Sequence, residues 1–288
     1  MIDDLSSLQN TYAPASYDCA TTAGSLVSAA PSRTCWPPKL DLFGLGVSAT
    51  NYHSAVEAIL SAAQNGEGGI VTCHAVHAIV TFSRDPVLRD KLNTFDMVTP
   101  DGQPVRWALN LLHGVGLNER VYGPELTLRL CRAAAASGVP IYLYGGDESV
   151  AAMLPDKLKE LCPGLIIAGS EAPPFRALSE QEDREVVERI NTSGAGIVFI
   201  GLGCPKQDLF AFDHRNSIHA VQICVGAAFD FHAGVKKMAP AWMQRRGLEW
   251  LYRLLQEPRR LWKRYFVTNS LFMMQLTRAF LFRGRRKK

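Results

Sequence analysis

Four apolar residues, Ile197-Val198-Phe199-Ile200, run unbroken into Gly201-Leu202-Gly203 and then Cys204-Pro205-Lys206-Gln207-Asp208. An uninterrupted apolar run ending in a glycine turn predicts a buried strand, and Pro205 predicts the first position of a following helix. The same grammar recurs on both sides. Residues 41–47 predict a first strand, with Ser48 or Thr50 capping a helix to about Asn65. Residues 69–72 predict a short strand ending at Thr72, Cys73 and His74, and residues 74–80 continue as a helix. Pro86 opens another short helix. Residues 95–100 read as a strand leading into Asp101-Gly102, with helices over 107–112 and 124–137. Further strands are predicted over 140–144, 165–169 and 221–226. Gly145-Gly146-Asp147 precedes a helix to Leu161, and Ser179 with Glu182 three residues later predicts a capping box for a helix to Asn191.

Short strands alternating with helices predict an α/β fold: a Rossmann-like, mostly parallel sheet with helices on both faces. Ligands of such sheets bind beyond the carboxyl ends of the strands. Thr72, Asp101, Gly145, Gly203 and Gly226 all fall just after predicted strands and therefore converge. A glycine turn opening a helix presents unpaired N–H groups that suit a phosphate. Lys206 adds a cation there and Gln207 a directional donor; the alternative is a plain strand-to-helix connection.

Residues 1–38 are rich in Ser, Thr, Ala and Pro and read as a disordered or variable leader. Residues 39–234 carry the α/β pattern. From 235 to 288 the character changes to two basic amphipathic helices, over about 241–256 and 258–282. Net charge is +4, but residues 241–288 hold 13 Lys or Arg against Glu249 and Glu257, a net +11, and the preceding 240 residues are net −7. An acidic body with a basic tail points to an anionic partner. Asn269, Gln275 and Arg278 interrupt the most apolar stretch, so it reads as a helix lying on an anionic membrane surface rather than spanning it. A helix docked on the body or a nucleic-acid-binding arm are the alternatives.

Seven cysteines without a Cys-x-x-Cys pair argue against a disulfide framework or zinc ribbon and for a reducing compartment. Asn191-Thr192-Ser193 then reads as a helix end, and the first residues, with Asp3 and Asp4, show no signal peptide. A third glycine of the dinucleotide fingerprint, a phosphate-binding Gly-Lys-Ser/Thr loop and a nucleophile-elbow serine are all missing from the sequence.

Asp101, between Pro100 and Gly102 after a strand, is placed to act as a general base; the alternative, commoner by residue type alone, is to cap the next helix. Arg120 could hold a phosphate or sugar oxygen, or form a surface ion pair. His74 and His77 share a predicted helix face, but no third ligand stands at a suggestive spacing. With no Asp-x-Asp pair to carry a metal–nucleotide complex, a phosphate leaving group would rely on backbone N–H groups and Lys or Arg.

Taken together, Thr99-Pro100-Asp101-Gly102, Arg120-Val121-Tyr122-Gly123, Gly201 to Asp208, Gly226-Ala227-Ala228-Phe229-Asp230, Ala239-Pro240-Ala241-Trp242-Met243 and residues 247–260 resemble the WecG/TagA/CpsF glycosyltransferases, glycosyltransferase family 26. The resemblance spans about 40–264. It implies a metal-independent, cofactor-free inverting transferase at the cytoplasmic membrane face. Such an enzyme moves a sugar from a UDP-sugar to a polyprenyl-diphosphate-linked sugar for surface or exopolysaccharide synthesis. It implies Asp101 as base, Thr72, Gln207 and Arg120 as active-site residues, and Arg253, Arg260 and Lys263 or Arg264 as contacts to substrate diphosphate. Gly102, Gly145, Gly203, Lys206 and Gly226 would border the donor. Where the family usually has Asn, this chain has His74, which bears on the sugar accepted. A nucleotide-binding oxidoreductase, or a non-catalytic membrane or nucleic-acid adaptor, are the rival classes, and a homo-oligomer is left open.

Overall fold

The computed structural model describes residues 33–286. Most of the expected leader therefore lies outside the described residues, and 33–38 run without helix or strand. The first element is a hairpin rather than one strand. β1 (Lys39–Leu42) pairs antiparallel with β2 (Leu45–Ser48) about Phe43 and Gly44, which have φ of 60° and 86°. Phe43 accepts that unusual conformation where its ring meets Phe272 edge-on, 5.3 Å between centroids.

In chain order there follow α1 (Tyr52–Asn65), β3 (Gly69–His74), α2 (Val76–Arg84), α3 (Pro86–Asn93), β4 (Met97–Pro100), α4 (Gln103–His113), α5 (Gly123–Ser137) and β5 (Ile141–Gly145). The second half continues with α6 (Glu148–Leu161), β6 (Ile167–Glu171), α7 (Glu180–Thr192), β7 (Ile197–Gly201), α8 (Lys206–Asp213), β8 (Val221–Cys224) and α9 (Ala228–His232). The tail forms α10 (Ala241–Arg245), α11 (Glu249–Gln256) and α12 (Pro258–Arg286). The six strands β4-β3-β8-β7-β5-β6 form one sheet in that order, every pairing parallel.

Strand periodicity sorts side chains onto two faces. On β7, Ile197 and Phe199 join the core under α1, α5, α6 and α9, whereas Val198 and Ile200 join the core under α2, α3, α4, α7, α8 and α12. Each fully buried Ile or Phe contributes about 1.5–3 kcal/mol relative to exposure. Burial on both faces explains the unbroken apolar run.

Several boundaries differ from expectation for local reasons. Asn51, not Ser48 or Thr50, caps α1, its Oδ1 accepting from the Ser54 N–H at 2.9 Å. β3 extends through His74, so His74 is a strand residue and does not share a helix face with His77 on α2. Pro205 is the N-cap of α8 rather than its first residue. The capping box of Ser179 and Glu182 is present. The first tail helix is split at Gly247, whose φ is 70° and where a Cβ would stand 3.0 Å from Gln103.

The 29-residue α12 lies against α2 and α4. Leu261 and Phe272 are buried, Leu276 and Ala279 pack on the same core, and Gln275 Nε2 donates to Ser83 Oγ at 3.2 Å. No helix among the described residues is long and apolar enough to cross a membrane.

Candidate active site

A cavity of about 1270 Å³ opens at the carboxyl ends of the strands. Asp101 stands there directly after β4. Its N–H is held by the carbonyls of Thr99 and His74, at 2.9 and 3.2 Å. Gly102, not Asp101, is the N-cap of α4, and its φ of 101° suits glycine. The Asp101 carboxylate instead accepts the N–H of Gly123 through Oδ2 at 3.2 Å. Burial pushes its pKa up to about 6, with Glu249 adding to the rise and Arg120, Gly123 and Arg253 opposing it. A half-buried carboxylate so tuned can take up a proton near neutral pH.

Arg120 borders the same cavity, buried rather than on the surface. Its Nη2 pairs with Glu249 Oε2 of α11 at 2.7 Å, and its guanidinium lies 4.4 Å from the Tyr122 ring centroid. The tail thus supplies the counter-ion to an arginine of the α/β body.

Gln207 links two glycine turns. Its Oε1 accepts from the N–H of Gly203 at 3.1 Å and of Gly226 at 3.0 Å. Those two N–H groups, which the sequence offered to a phosphate, are used inside the protein. Besides the ion-paired Arg120 and Arg176, the wall carries Lys206, Lys236, Arg253 and Arg264. Lys236 pairs with Asp230 at 2.5 Å. Gly145 lies one residue below the wall, where a Cβ would stand 2.6 Å from the Gly201 carbonyl carbon; Gly146 and Asp147 border the cavity in its place.

Thr72 and His74 lie beneath the floor, fully buried. Both point to Asp208, which sequence reasoning did not single out: Thr72 Oγ1 donates to Asp208 Oδ1 at 2.6 Å and His74 Nε2 lies 2.9 Å from the same atom. His74, Cys204 and Asp208 place ligand atoms within 4.8 Å of one another, so a small cation could be held there. Burial raises the Cys204 thiol well above its usual range, and a metal would have to displace that proton.

Of the tail cations, Arg253 and Arg264 border the cavity and Lys263 is exposed on α12. Arg260 lies on α12, and its side chain is outside the described residues. Asp101, Gly102, Arg120, Gly203, Lys206, Gln207, Gly226, Arg253 and Arg264 are therefore brought together at one cavity. The residues missed are Asp208 and Glu249; an acid standing alone among the bases around it was the available signal for Glu249.

This arrangement has a desolvated carboxylate, an immobilised arginine and several cations on the wall of a cavity of about 1270 Å³. It suits proton abstraction from a hydroxyl beside a phosphate leaving group. A family model described as the glycosyl transferase WecG/TagA/CpsF family matches residues 40–286.

Proposed function

The chain belongs to the WecG/TagA/CpsF glycosyl transferase family, and we propose that it moves a hexose or N-acetylhexosamine from a UDP-sugar to a polyprenyl-diphosphate-linked sugar, inverting the anomeric carbon. The observation that carries this reading is Asp101, with its pKa raised to about 6 by burial at the centre of a cation-lined cavity.

The acceptor hydroxyl attacks the anomeric carbon from the face opposite UDP. As the new C–O bond forms, its proton passes to Asp101 and the bond to the UDP oxygen breaks with its electron pair. Lys206, Lys236, Arg253 and Arg264, all on the cavity wall, offset the charge of the diphosphate. Arg120, fixed by Glu249, orients the acceptor or donor oxygen beside the base. Gln207 holds the two glycine turns at their spacing and keeps its amide nitrogen for the substrate. Thr72 and His74 act from below through Asp208.

The basic tail bears exposed Trp262 and Phe266 beside its lysines and arginines and sets the cavity against an anionic lipid surface on the cytoplasmic side, where the acceptor resides. The product belongs to cell-surface or exopolysaccharide synthesis. Incubation with a panel of UDP-sugars and a short-chain lipid-diphosphate sugar should release UDP with one of them and give a product of opposite anomeric configuration by NMR. Retained configuration, or UDP release without an acceptor product, would overturn the reading.

A further inference from the structure

At the floor of the cavity, three side chains from separate parts of the chain converge. His74 ends β3, Cys204 lies in the loop between β7 and α8, and Asp208 stands in the first turn of α8. Each offers one ligand atom, and these atoms lie within 4.8 Å of one another. Among the described residues this is the one group of three His, Cys, Asp or Glu side chains that converges in this way. Cys204 and Asp208 are close in sequence, whereas His74 is 134 residues from Asp208, so the fold and not a local motif assembles the group.

Hydrogen bonding does not use up this cluster. Thr72 Oγ1 and His74 Nε2 both meet Asp208 Oδ1, at 2.6 and 2.9 Å. The other oxygen, Asp208 Oδ2, and the other ring nitrogen, His74 Nδ1, are buried without a hydrogen-bond partner. The two side chains are 1% and 0% exposed, so water does not satisfy them from outside. A polar atom buried without a partner is costly, and native proteins rarely leave one so. A metal ion drawing on the carboxylate and the imidazole supplies the missing partner.

The donor set selects the ion. An imidazole nitrogen, a thiolate and a carboxylate suit zinc, whereas magnesium and calcium take oxygen ligands. Ligand atoms about 2.0–2.3 Å from a tetrahedral zinc stand roughly 3–4 Å apart, so the group closes on the ion with shifts of about 1 Å. With the imidazole neutral, the thiolate and the carboxylate carry two negative charges that Zn²⁺ balances, and the loaded cluster is neutral beneath the floor. The thiol proton leaves to solvent through the cavity, which Cys204 alone of the three borders. Access from that side leaves the fourth coordination position to water.

We propose that His74, Cys204 and Asp208 form a zinc-binding site that clamps the first turn of α8 to the end of β3. Lys206 and Gln207 stand on the same turn, so the ion fixes the stretch of wall that they line. The site is independent of the transfer reaction and needs neither the donor nor the acceptor assigned above.

Calorimetric titration of Zn²⁺ into the full chain, stripped with a chelator and kept reduced, tests it. Zinc should bind at one site per chain, and Mg²⁺ should not. Zinc at about 100 times its Kd should raise the unfolding midpoint by about 5 °C or more. Co²⁺ in place of zinc should show the d–d bands of a tetrahedral ion and a thiolate charge-transfer band in the near ultraviolet. Cys204→Ser should remove that band and weaken zinc by about 100-fold or more, because losing a residue behind a ligand already costs about 10–100-fold. Cys73→Ser, at the other thiol on the cavity wall, should change neither. His74→Asn should weaken zinc to a similar degree yet keep the thiolate band at higher cobalt, which decides the matter if Cys204→Ser does not fold. Absence of zinc binding, a cobalt spectrum without the thiolate band, or zinc binding of parental strength in Cys204→Ser or His74→Asn overturns the site.

Discussion

His74 Nε2 lies 2.9 Å from Asp208 Oδ1, and both side chains are buried. His74 stands at the end of β3 and Asp208 in the first turn of α8, so one contact ties a strand end to the helix that carries Gln207 and Lys206. The backbone of His74 also matters: its carbonyl accepts the N–H of Asp101 at 3.2 Å. One residue thus touches Asp101 through its main chain and the first turn of α8 through its ring.

Removing the carboxylate should loosen that junction. Asp208→Ala leaves the Thr72 hydroxyl and His74 Nε2 buried without their shared partner, at a cost of about 2–4 kcal/mol. Asp208→Glu should recover part of the loss only if the helix can withdraw by a methylene. Urea unfolding of the two variants measures both. A change below about 0.5 kcal/mol in Asp208→Ala would mean the pair contributes nothing net.

Asp101 should control both rate and stability, in opposite senses. Asp101→Asn should lower kcat by about 100-fold to 10,000-fold without changing UDP binding. In the parent, activity should rise with pH through about 6, because the protonated carboxyl cannot accept a proton. A carboxyl raised from its ordinary value binds its proton more tightly when folded. Its contribution to stability is thus full below the ordinary carboxylate range and is lost as pH rises through about 6. At pH 7.5 Asp101→Asn should therefore be the more stable protein, by about 1–2 kcal/mol after allowance for its partial exposure. Paired pH–rate and pH–stability profiles check the two signs together.

Glu249 acts on Asp101 from the tail. It pairs with Arg120 and helps raise the Asp101 pKa. Glu249→Gln should move the acidic limb of the pH–rate profile below about 6, since a negative neighbour is lost and Arg120 is freed to favour the ionised carboxylate. The buried arginine left without its partner should also cost about 3–5 kcal/mol. Limited proteolysis should then cut sooner between α10 and α12. An unmoved pH limb with slower turnover would instead assign Glu249 to substrate binding.

What was legible follows from the range of the interactions. β5 and β7 declared themselves because apolar runs of this kind belong to strands buried on both faces. The Ser179–Glu182 box was readable because both partners lie within one helical turn. Asp101 and Gln207 were readable through neighbours that mark strand ends. Asp208 was not, since Thr72 and His74 lie 136 and 134 residues away and an acid in the first turn of a helix has an ordinary explanation. The hairpin was hidden because Phe43-Gly44 is not a turn signature and Phe43 is held by Phe272, far along the chain. The occupied N–H groups of Gly203 and Gly226 depend on one side chain bridging two loops, which no local spacing reveals.

The outer flank of α12 gives a last prediction. Trp262, Phe266, Met273 and Phe280 recur at spacings of four, seven and seven residues, so they share one flank, and they are 59%, 71%, 57% and 50% exposed. Arg259 and Lys263 adjoin it, giving a mixture of aromatic and cationic side chains of the kind that partitions into an anionic bilayer surface. The opposite flank, with Leu261 and Phe272, is committed to the body. The proposed membrane contact and folding are therefore separable on this helix. Trp262→Ser with Phe266→Ser should reduce co-sedimentation with vesicles containing phosphatidylglycerol by about 10-fold or more, since two large apolar surfaces no longer insert. The unfolding midpoint should stay within about 1 °C, because neither ring contributes to the core. Phe272→Ala should do the reverse, costing about 3–5 kcal/mol of stability through an unfilled core position while leaving the inserting flank in place. Equal vesicle binding by the parent and the Trp262/Phe266 variant would assign membrane contact to a different surface.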